Sequence, residues 1–372
     1  MSSNVLAIGP FPPAVTGAAK NTAIVCDALE KRGTEVVRIP TNRTRTRSEH
    51  LRSPGLYAER ALGFSRNFAK VASINSRRPE STTVYLVPDG GLGAAFSAVY
   101  ARISSLKFPR LVVHHRNYSH INVKSRFMSN IACTDPERTL HVFLDPIMEE
   151  RFKAVYSTNI KSMYVPNAAT CDVSPADPEP LVHVSKPLTV GFLSILIEDK
   201  GFDVVAEAFV KAHRQFGGDM RFLLAGQPVG VTNAARLNAL RQELGDALDY
   251  RGEVFGDAKT AFFKDCDIFV FPTRYDQEAQ PNVLYEAMAG GSLIISTRWA
   301  GVPWVVQDTV GTLIDPGPDR AEDLVEAIHG LASLESLAGA RARQTEAFRS
   351  KKLDADARYV RLIDLLSGPN EF

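Results

Sequence analysis

Glu278 and Glu286 stand eight positions apart in the stretch RYDQEAQPNVLYEAMAGGSLIIST, residues 274–297. Between them Pro281 suits the first position of a helix, because proline has no N–H to leave unpaired there. The amides of Asn282, Val283 and Leu284 are then open donors at the positive end of that helix, a site for a diphosphate. Glu286 begins the next turn. An ionised carboxylate accepts hydrogen bonds from both hydroxyls of a vicinal diol. A nucleotide sugar carries such diols on its hexose and its ribose, with a diphosphate between them. Two glutamates flanking a helix N-terminus match that layout. The same residues also fit a plainer arrangement, with Glu278 a surface charge and Glu286 a solvent-facing helix residue. The run from Ala287 to Gly291 reads as close helix–strand packing with a glycine C-cap.

The elements that must hold these residues follow from the alternation of short apolar runs with amphipathic patterns. NVLAIG, GAAKNTAIVCDALEKRG, TEVVRIP, TTVYLVPDGG, RLVVHHRN and LHVFLD succeed one another in the first 170 residues. Such strand–helix alternation implies parallel sheets covered by helices. CDVSPADPEPLVHVSKP, residues 171–187, then breaks the periodicity with four prolines in seventeen residues and reads as a linker. The alternation restarts with LTVGFLS and GFDVVAEAFVKAHRQF, and continues through MRFLLAGQ, DIFVFPT, SLIIST and VGTLIDP. Glu278 follows the strand DIFVFPT, and in open parallel sheets ligands sit beyond the carboxyl ends of strands. From Asp319 the pattern is almost wholly helical, and DADARYVRLIDLLSG is its last amphipathic piece.

With 372 residues, 45% hydrophobic and 23% charged, the chain has the composition of a two-domain soluble protein, and its net charge of +1 names no partner. The halves differ: residues 1–180 hold 23 Lys and Arg against 15 Asp and Glu, a surplus of +8, and residues 181–372 hold 20 against 27, or −7. Arg43, Arg45, Arg47, Arg52, Arg60, Arg66 and Lys70 supply much of the surplus, interleaved with Leu51, Tyr57, Leu62, Phe64 and Phe68. A segment of this kind can lie on anionic lipid or form a solvated face; no recognised motif accompanies it that would suit nucleic acid. Cys26, Cys133, Cys171 and Cys266 form no metal-binding spacing, which points to a reducing cytoplasm and no structural metal. No apolar run of 18 residues and no leader pattern occurs, so the chain is expected neither to cross a membrane nor to be exported.

EAQPNVLYEAMAGG, with SLIISTRWAGVPWVVQD after it and Phe-Pro-Thr before it, resembles the two-glutamate motif of retaining glycosyltransferases of family 4. The resemblance extends over nearly the whole chain. It implies the α/β GT-B fold: two Rossmann-like parallel-sheet domains facing a central cleft, with a C-terminal helix returning to the N-domain. The expected divisions are 1–170 for the acceptor-side domain, 171–187 for the linker, 188–350 for the nucleotide-sugar domain and 351–372 for the last helix. In the family the first glutamate contacts hexose hydroxyls and the second the ribose, which assigns those roles to Glu278 and Glu286. Gln280 and the amides of Asn282, Val283 and Leu284 join the donor-binding set. GFLSILIEDKG resembles the family's loop ending in Lys-Gly and places Lys200 against the diphosphate as a charge on the leaving group. GPFPPAVTGAAKN resembles its first glycine loop, where Gly17 lets backbone approach the donor, with the Ala18 and Ala19 amides beside it. In RLVVHHRN the family's histidine is assigned here as His115, catalytic, with His114 substrate-binding, although neighbours on a strand face opposite ways. Asn167, in YVPNAA, reads as structural. Two positions depart from the pattern: Ala279, where most relatives have glycine, and Ile195, where many have arginine or asparagine.

The implied activity is transfer of a hexose from a UDP- or GDP-sugar to a glycan or lipid-linked acceptor, with retention, in cell-surface polysaccharide synthesis. No cofactor and no metal are expected, since amides and lysine supply the charge. The expected place is the cytoplasm, on the inner face of the membrane through the basic segment, with no nucleic-acid partner. Two other readings stay open: a nucleotide-sugar epimerase of the same fold, which needs no acceptor, and a non-catalytic nucleotide-sugar-binding subunit.

Overall fold

The computed structural model describes residues 4–13, 16–41, 54–73, 82–91, 93–156, 159–171, 173 and 187–368, with side chains from residue 62 onward in the helix Pro54–Ser73. Arg43, Arg45, Arg47, Arg52 and the Arg60 side chain of the basic segment lie outside these residues, as does most of the stretch 171–187. The chain divides into two compact units, Met1–Thr170 with Ala355–Phe372, and Cys171–Asp354.

The first unit is built on six strands: β1 (Asn4–Gly9), β2 (Glu35–Pro40), β3 (Thr82–Leu86), β4 (Arg110–His114), β5 (Thr139–Phe143) and β6 (Lys161–Tyr164). They pair in parallel in the order β2-β1-β3-β4-β5-β6. Strands β3 and β5 are buried along their whole length, as expected of parallel strands covered on both faces. The helix Gly17–Lys31 follows β1 and is capped by Thr16, whose Oγ1 accepts from the Ala19 amide at 3.2 Å.

The second unit repeats the design with β7 (Leu188–Leu193), β8 (Met220–Ala225), β9 (Leu248–Tyr250), β10 (Ile268–Phe271), β11 (Leu293–Thr297) and β12 (Gly311–Ile314), in the order β12-β11-β10-β7-β8-β9. All its pairings are parallel. Counted from β7 this is the 3-2-1-4-5-6 order of dinucleotide-binding sheets, whose topological switch point falls between the first and fourth strands, here β7 and β10.

One helix, Leu337–Ser367, closes the chain. Its residues to Asp354 belong to the second unit, where Ala340, Arg341, Gln344 and Phe348 are buried. From Ala355 it belongs to the first unit, where Leu362, Ile363 and Leu366 enter the core beside Val5, Cys26 and Leu29. Among the described residues no helix is long and apolar enough to cross a membrane.

Candidate active site

The switch point of the second sheet brings Lys200 and Glu278 together. After β7 the chain makes a short 3-10 turn, Glu198–Lys200, and Gly201 at φ +85° leads into the helix Phe202–Phe216. A Cβ on Gly201 would fall 2.4 Å from the Pro272 carbonyl oxygen, so glycine is required by both conformation and space. After β10 the backbone is fastened to the same turn: the Arg274 amide donates to Asp199 O at 2.8 Å and the Thr273 hydroxyl to the same oxygen at 3.4 Å. These bonds place the two loops side by side, and Lys200 Nζ forms an ion pair with Glu278 Oε2. Both side chains are nearly buried, 14% and 12% exposed. The ammonium also lies 4.4 Å from the centre of the Tyr275 ring, a cation–π contact. Trp299 Nε1 donates to the Tyr275 carbonyl at 3.0 Å and steadies that loop.

Glu286 is not solvent-facing: it is 3% exposed and its Oε2 lies 2.5 Å from Lys259 Nζ. Gln280 is buried too, its Oε1 accepting from the Tyr285 hydroxyl at 3.0 Å. Pro281 is the N-cap of the helix Asn282–Ala289, with ψ 117°, rather than its first helical residue. The Leu284 amide bonds the Pro281 carbonyl at 3.1 Å, because the first turn tightens to an i to i−3 contact. The Leu284 amide is therefore not an open donor of the kind expected at 282–284. Gly290 is the C-cap of this helix, as expected, and it also packs on the helix Gly256–Asp265: a Cβ there would meet Phe263 Cβ at 2.8 Å. Ala279 is buried at 5% and is not among the residues with positive φ, so alanine fits the loop without strain.

Ile195 is half-buried and brings no charge. A buried cation beside these loops is Arg320, 4% exposed, whose Nε donates to Gly317 O at 3.0 Å and whose Nη1 reaches Pro272 O at 3.5 Å. Burial, then the charge of Arg274, push its pKa below the ordinary value, with Asp203 pulling the other way. Lys259, Tyr275 and Arg320 were not among the residues expected from sequence. Tyr275 stands three places before Glu278 in the same stretch, an aromatic beside a charged motif that could have been noticed.

In the first unit Gly17 opens the helix Gly17–Lys31, exposed, with the neighbouring Ala19 amide used by the Thr16 cap. His115 points into the core: it stacks on Phe143 with centroids 4.7 Å apart, and its Nε2 is 2.8 Å from His141 Nδ1. Burial, then the charge of His141, hold its pKa well below the ordinary value. His114 faces Tyr85, whose hydroxyl lies 2.9 Å from its Nδ1. Asn167 accepts from Asn21 Nδ2 at 3.1 Å and from Arg116 Nη1 at 2.8 Å, tying three segments of the unit together.

Several known proteins share parts of this chain. Residues 187–333 match the family described as "Glycosyl transferases group 1". The protein named "Putative colanic acid biosynthesis glycosyltransferase WcaL" of Escherichia coli (strain K12) is 29% identical over 40% of this chain and 38% of its own length. A subunit of the phosphatidylinositol N-acetylglucosaminyltransferase of Arabidopsis thaliana is 29% identical over 47% of this chain and 37% of its own. The match thus spans less than two-fifths of each curated relative. Among solved structures, Anabaena HepE in complex with UDP superposes with a TM-score of 0.66 at 14% identity, over 98% of this chain and 100% of that one. WaaG, a glycosyltransferase involved in lipopolysaccharide biosynthesis, gives 0.65 at 13%, over 98% and 100%. Residues 187–333 are thus similar to the glycosyl transferases group 1 family, in a chain whose two parallel-sheet units have the GT-B fold.

Proposed function

We propose that the protein is a retaining glycosyltransferase that moves a hexose from a nucleotide sugar to a glycan or lipid-linked acceptor in cell-surface polysaccharide synthesis. The observation that carries this reading is the meeting of Lys200 and Glu278 at the β7/β10 switch point, next to a helix N-terminus followed by the buried Glu286. The donor diphosphate takes Lys200 and the Asn282 and Val283 amides, where a fixed positive charge stabilises the leaving group. Glu278 then turns to the hexose hydroxyls and Glu286 to the ribose. The anomeric carbon–phosphate oxygen bond breaks as the acceptor oxygen attacks from the same face, and the departing phosphate oxygen takes the acceptor proton. On this reading no metal is required, and excess EDTA leaves the transfer rate unchanged. HepE, of the same fold, was solved with UDP, which favours a UDP-sugar donor, and WcaL is named for colanic acid biosynthesis, which favours a polysaccharide setting.

Calorimetry against UDP and GDP, followed by NMR of the product made from the matching donor sugar, tests the proposal. Binding of one nucleotide and transfer with the anomeric configuration kept is the expected result. Conversion of donor with no acceptor present would identify an epimerase, and binding without any transfer a non-catalytic subunit. The basic first half is read as docking on the cytoplasmic membrane face, where a lipid-linked acceptor is presented. Flotation with vesicles containing anionic lipid, and not with neutral ones, is expected.

A further inference from the structure

Glu286 and Lys259 come from two neighbouring helices, Asn282–Ala289 and Gly256–Asp265, whose carboxyl ends are fastened together. Gly290 packs on Phe263, and Arg341 Nη2 donates to Lys264 O at 3.2 Å and to Gly290 O at 3.3 Å. One turn back from Phe263 stands Lys259, and one turn back from Gly290 stands Glu286. The spacing set at the helix ends thus carries up to this pair, where Lys259 Nζ lies 2.5 Å from Glu286 Oε2. Among the described residues each is the other's only ion-pair partner.

The two sides of the pair differ. Glu286 is buried, whereas the Lys259 side chain is 29% exposed and opens the pair to solvent. The contact balances charge without forming a directed hydrogen bond: Oε2 has no hydrogen-bond partner among the described residues. A buried carboxylate oxygen that lacks a donor is unfavourable until a ligand supplies one. The ligand group must donate to Glu286 and, to keep Lys259 satisfied, accept from its ammonium. A hydroxyl does both, with one O–H and two lone pairs. A phosphate oxygen accepts from lysine but is repelled by the carboxylate, and an N–H group donates to the carboxylate but offers lysine nothing.

We infer that Lys259 is a specificity-determining residue that reads one ribose hydroxyl of the donor together with Glu286: the O–H donates to Glu286 Oε2 and the hydroxyl oxygen accepts from Lys259 Nζ. That the hydroxyl is a ribose hydroxyl rests on the glycosyltransferase reading; the hydroxyl chemistry of the pair does not. A site built in this way rejects an analogue without the hydroxyl, because binding it covers the pair and leaves Oε2 without its donor.

Calorimetry of the full-length protein with UDP and GDP, and then with the 2′-deoxy and 3′-deoxy analogues of whichever binds, tests it. Removing one of the two hydroxyls should cost the wild type about tenfold or more in affinity. Lys259→Met should weaken the ribonucleotide by about tenfold and leave the analogue lacking that hydroxyl almost unchanged. Lys259→Arg, which keeps the charge, should recover part of the loss. A lysine that only steadied the fold would instead weaken the ribonucleotide and both analogues alike. Because Lys259→Met leaves Glu286 buried without its cation, the comparison is repeated in Glu286→Gln with and without Lys259→Met, where no buried charge is stranded. Glu286→Gln keeps an acceptor and should retain part of the discrimination; the double variant should have none. The inference is overturned if the wild type binds the ribonucleotide and both analogues equally, if Lys259→Met weakens all three alike, or if the double variant discriminates as well as Glu286→Gln. Failure of the wild type to bind UDP and GDP would defeat the proposed function itself, and the ribose assignment with it.

Discussion

Lys200 and Glu278 neutralise one another across the switch point, so a diphosphate that takes Lys200 must part the pair. Glu278→Gln removes that competition. UDP should bind as well as before or tighter, since Lys200 no longer has to leave a charged partner, while kcat for transfer should fall by roughly 10²-fold or more as a group serving the transition state is lost. Glu286→Gln should act the other way: a charged hydrogen bond of about 1.5–3 kcal/mol lost from the ribose weakens UDP about tenfold to a hundredfold, with a smaller effect on kcat at saturating donor. Calorimetry with UDP and steady-state kinetics separate the two, and wild-type behaviour of both variants would make them structural charges. The glutamates were legible because eight residues and one proline fix their relation locally. Lys259 and Arg320 were not, because their partners come from other segments and exist only once the sheet has formed. His114 and His115 show the same limit: a strand sends neighbours to opposite faces, yet only the folded packing shows that His115 stacks on Phe143 and Phe152 while His114, buried too, faces Tyr85.

The site depends on two elements having one fixed separation, and Gly201 sets it. With φ at +85° and the Pro272 carbonyl 2.4 Å from any added Cβ, Gly201→Ala should cost about 2–4 kcal/mol through strain and overpacking. By displacing Lys200 it should also weaken UDP binding; urea melts and calorimetry read the two effects, and an alanine variant with native stability would show that the loops adjust freely. Arg341 performs a comparable task for the helix Asn282–Ala289. It is 3% exposed and donates to Asp267 Oδ1 at 2.6 Å, to Cys266 O at 2.7 Å and to Gly290 O at 3.3 Å, the last at that helix's end. Burial pushes the Asp267 carboxyl up, with the Thr189 amide and Arg341 pulling it back. Arg341→Met leaves that carboxylate buried without its cation, and urea unfolding should show a loss of about 3–5 kcal/mol. The strands were readable as apolar runs because parallel strands are buried on both faces. Their order was not, since pairing across the sheet leaves no local trace. The tail was readable as helical, but its amphipathic stripe was plain only in the last part: in the first half of the helix Leu337–Ser367 the buried face mixes Arg341, Gln344 and Thr345 with Ala340 and Phe348.

Over the whole molecule the buried histidines are unevenly spread, and this makes the two units respond differently to acid. His114, His115, His120 and His141 all lie in the first unit, and burial lowers the pKa of each, that of His141 to about 3. The unfolded chain, with histidines near 6.5, then binds more protons than the folded one as soon as the pH drops below that value. Stability is therefore complete above pH 6.5 and is lost as the pH falls toward the lowered folded values, at about 1.4 kcal/mol per pH unit for each histidine. Acidification from pH 6.5 to 5 therefore destabilises the first unit through His114, His115 and His141, all held neutral by burial. Both tryptophans of the chain, Trp299 and Trp304, belong to the second unit, so fluorescence follows that unit while far-ultraviolet circular dichroism follows both. Between pH 7 and 5 the dichroism signal should fall and its melting temperature drop, while the tryptophan emission keeps its native wavelength. A dichroism melt unchanged over that range would mean that the buried imidazoles accept protons in the folded state, and would remove the acid sensitivity assigned to the first unit.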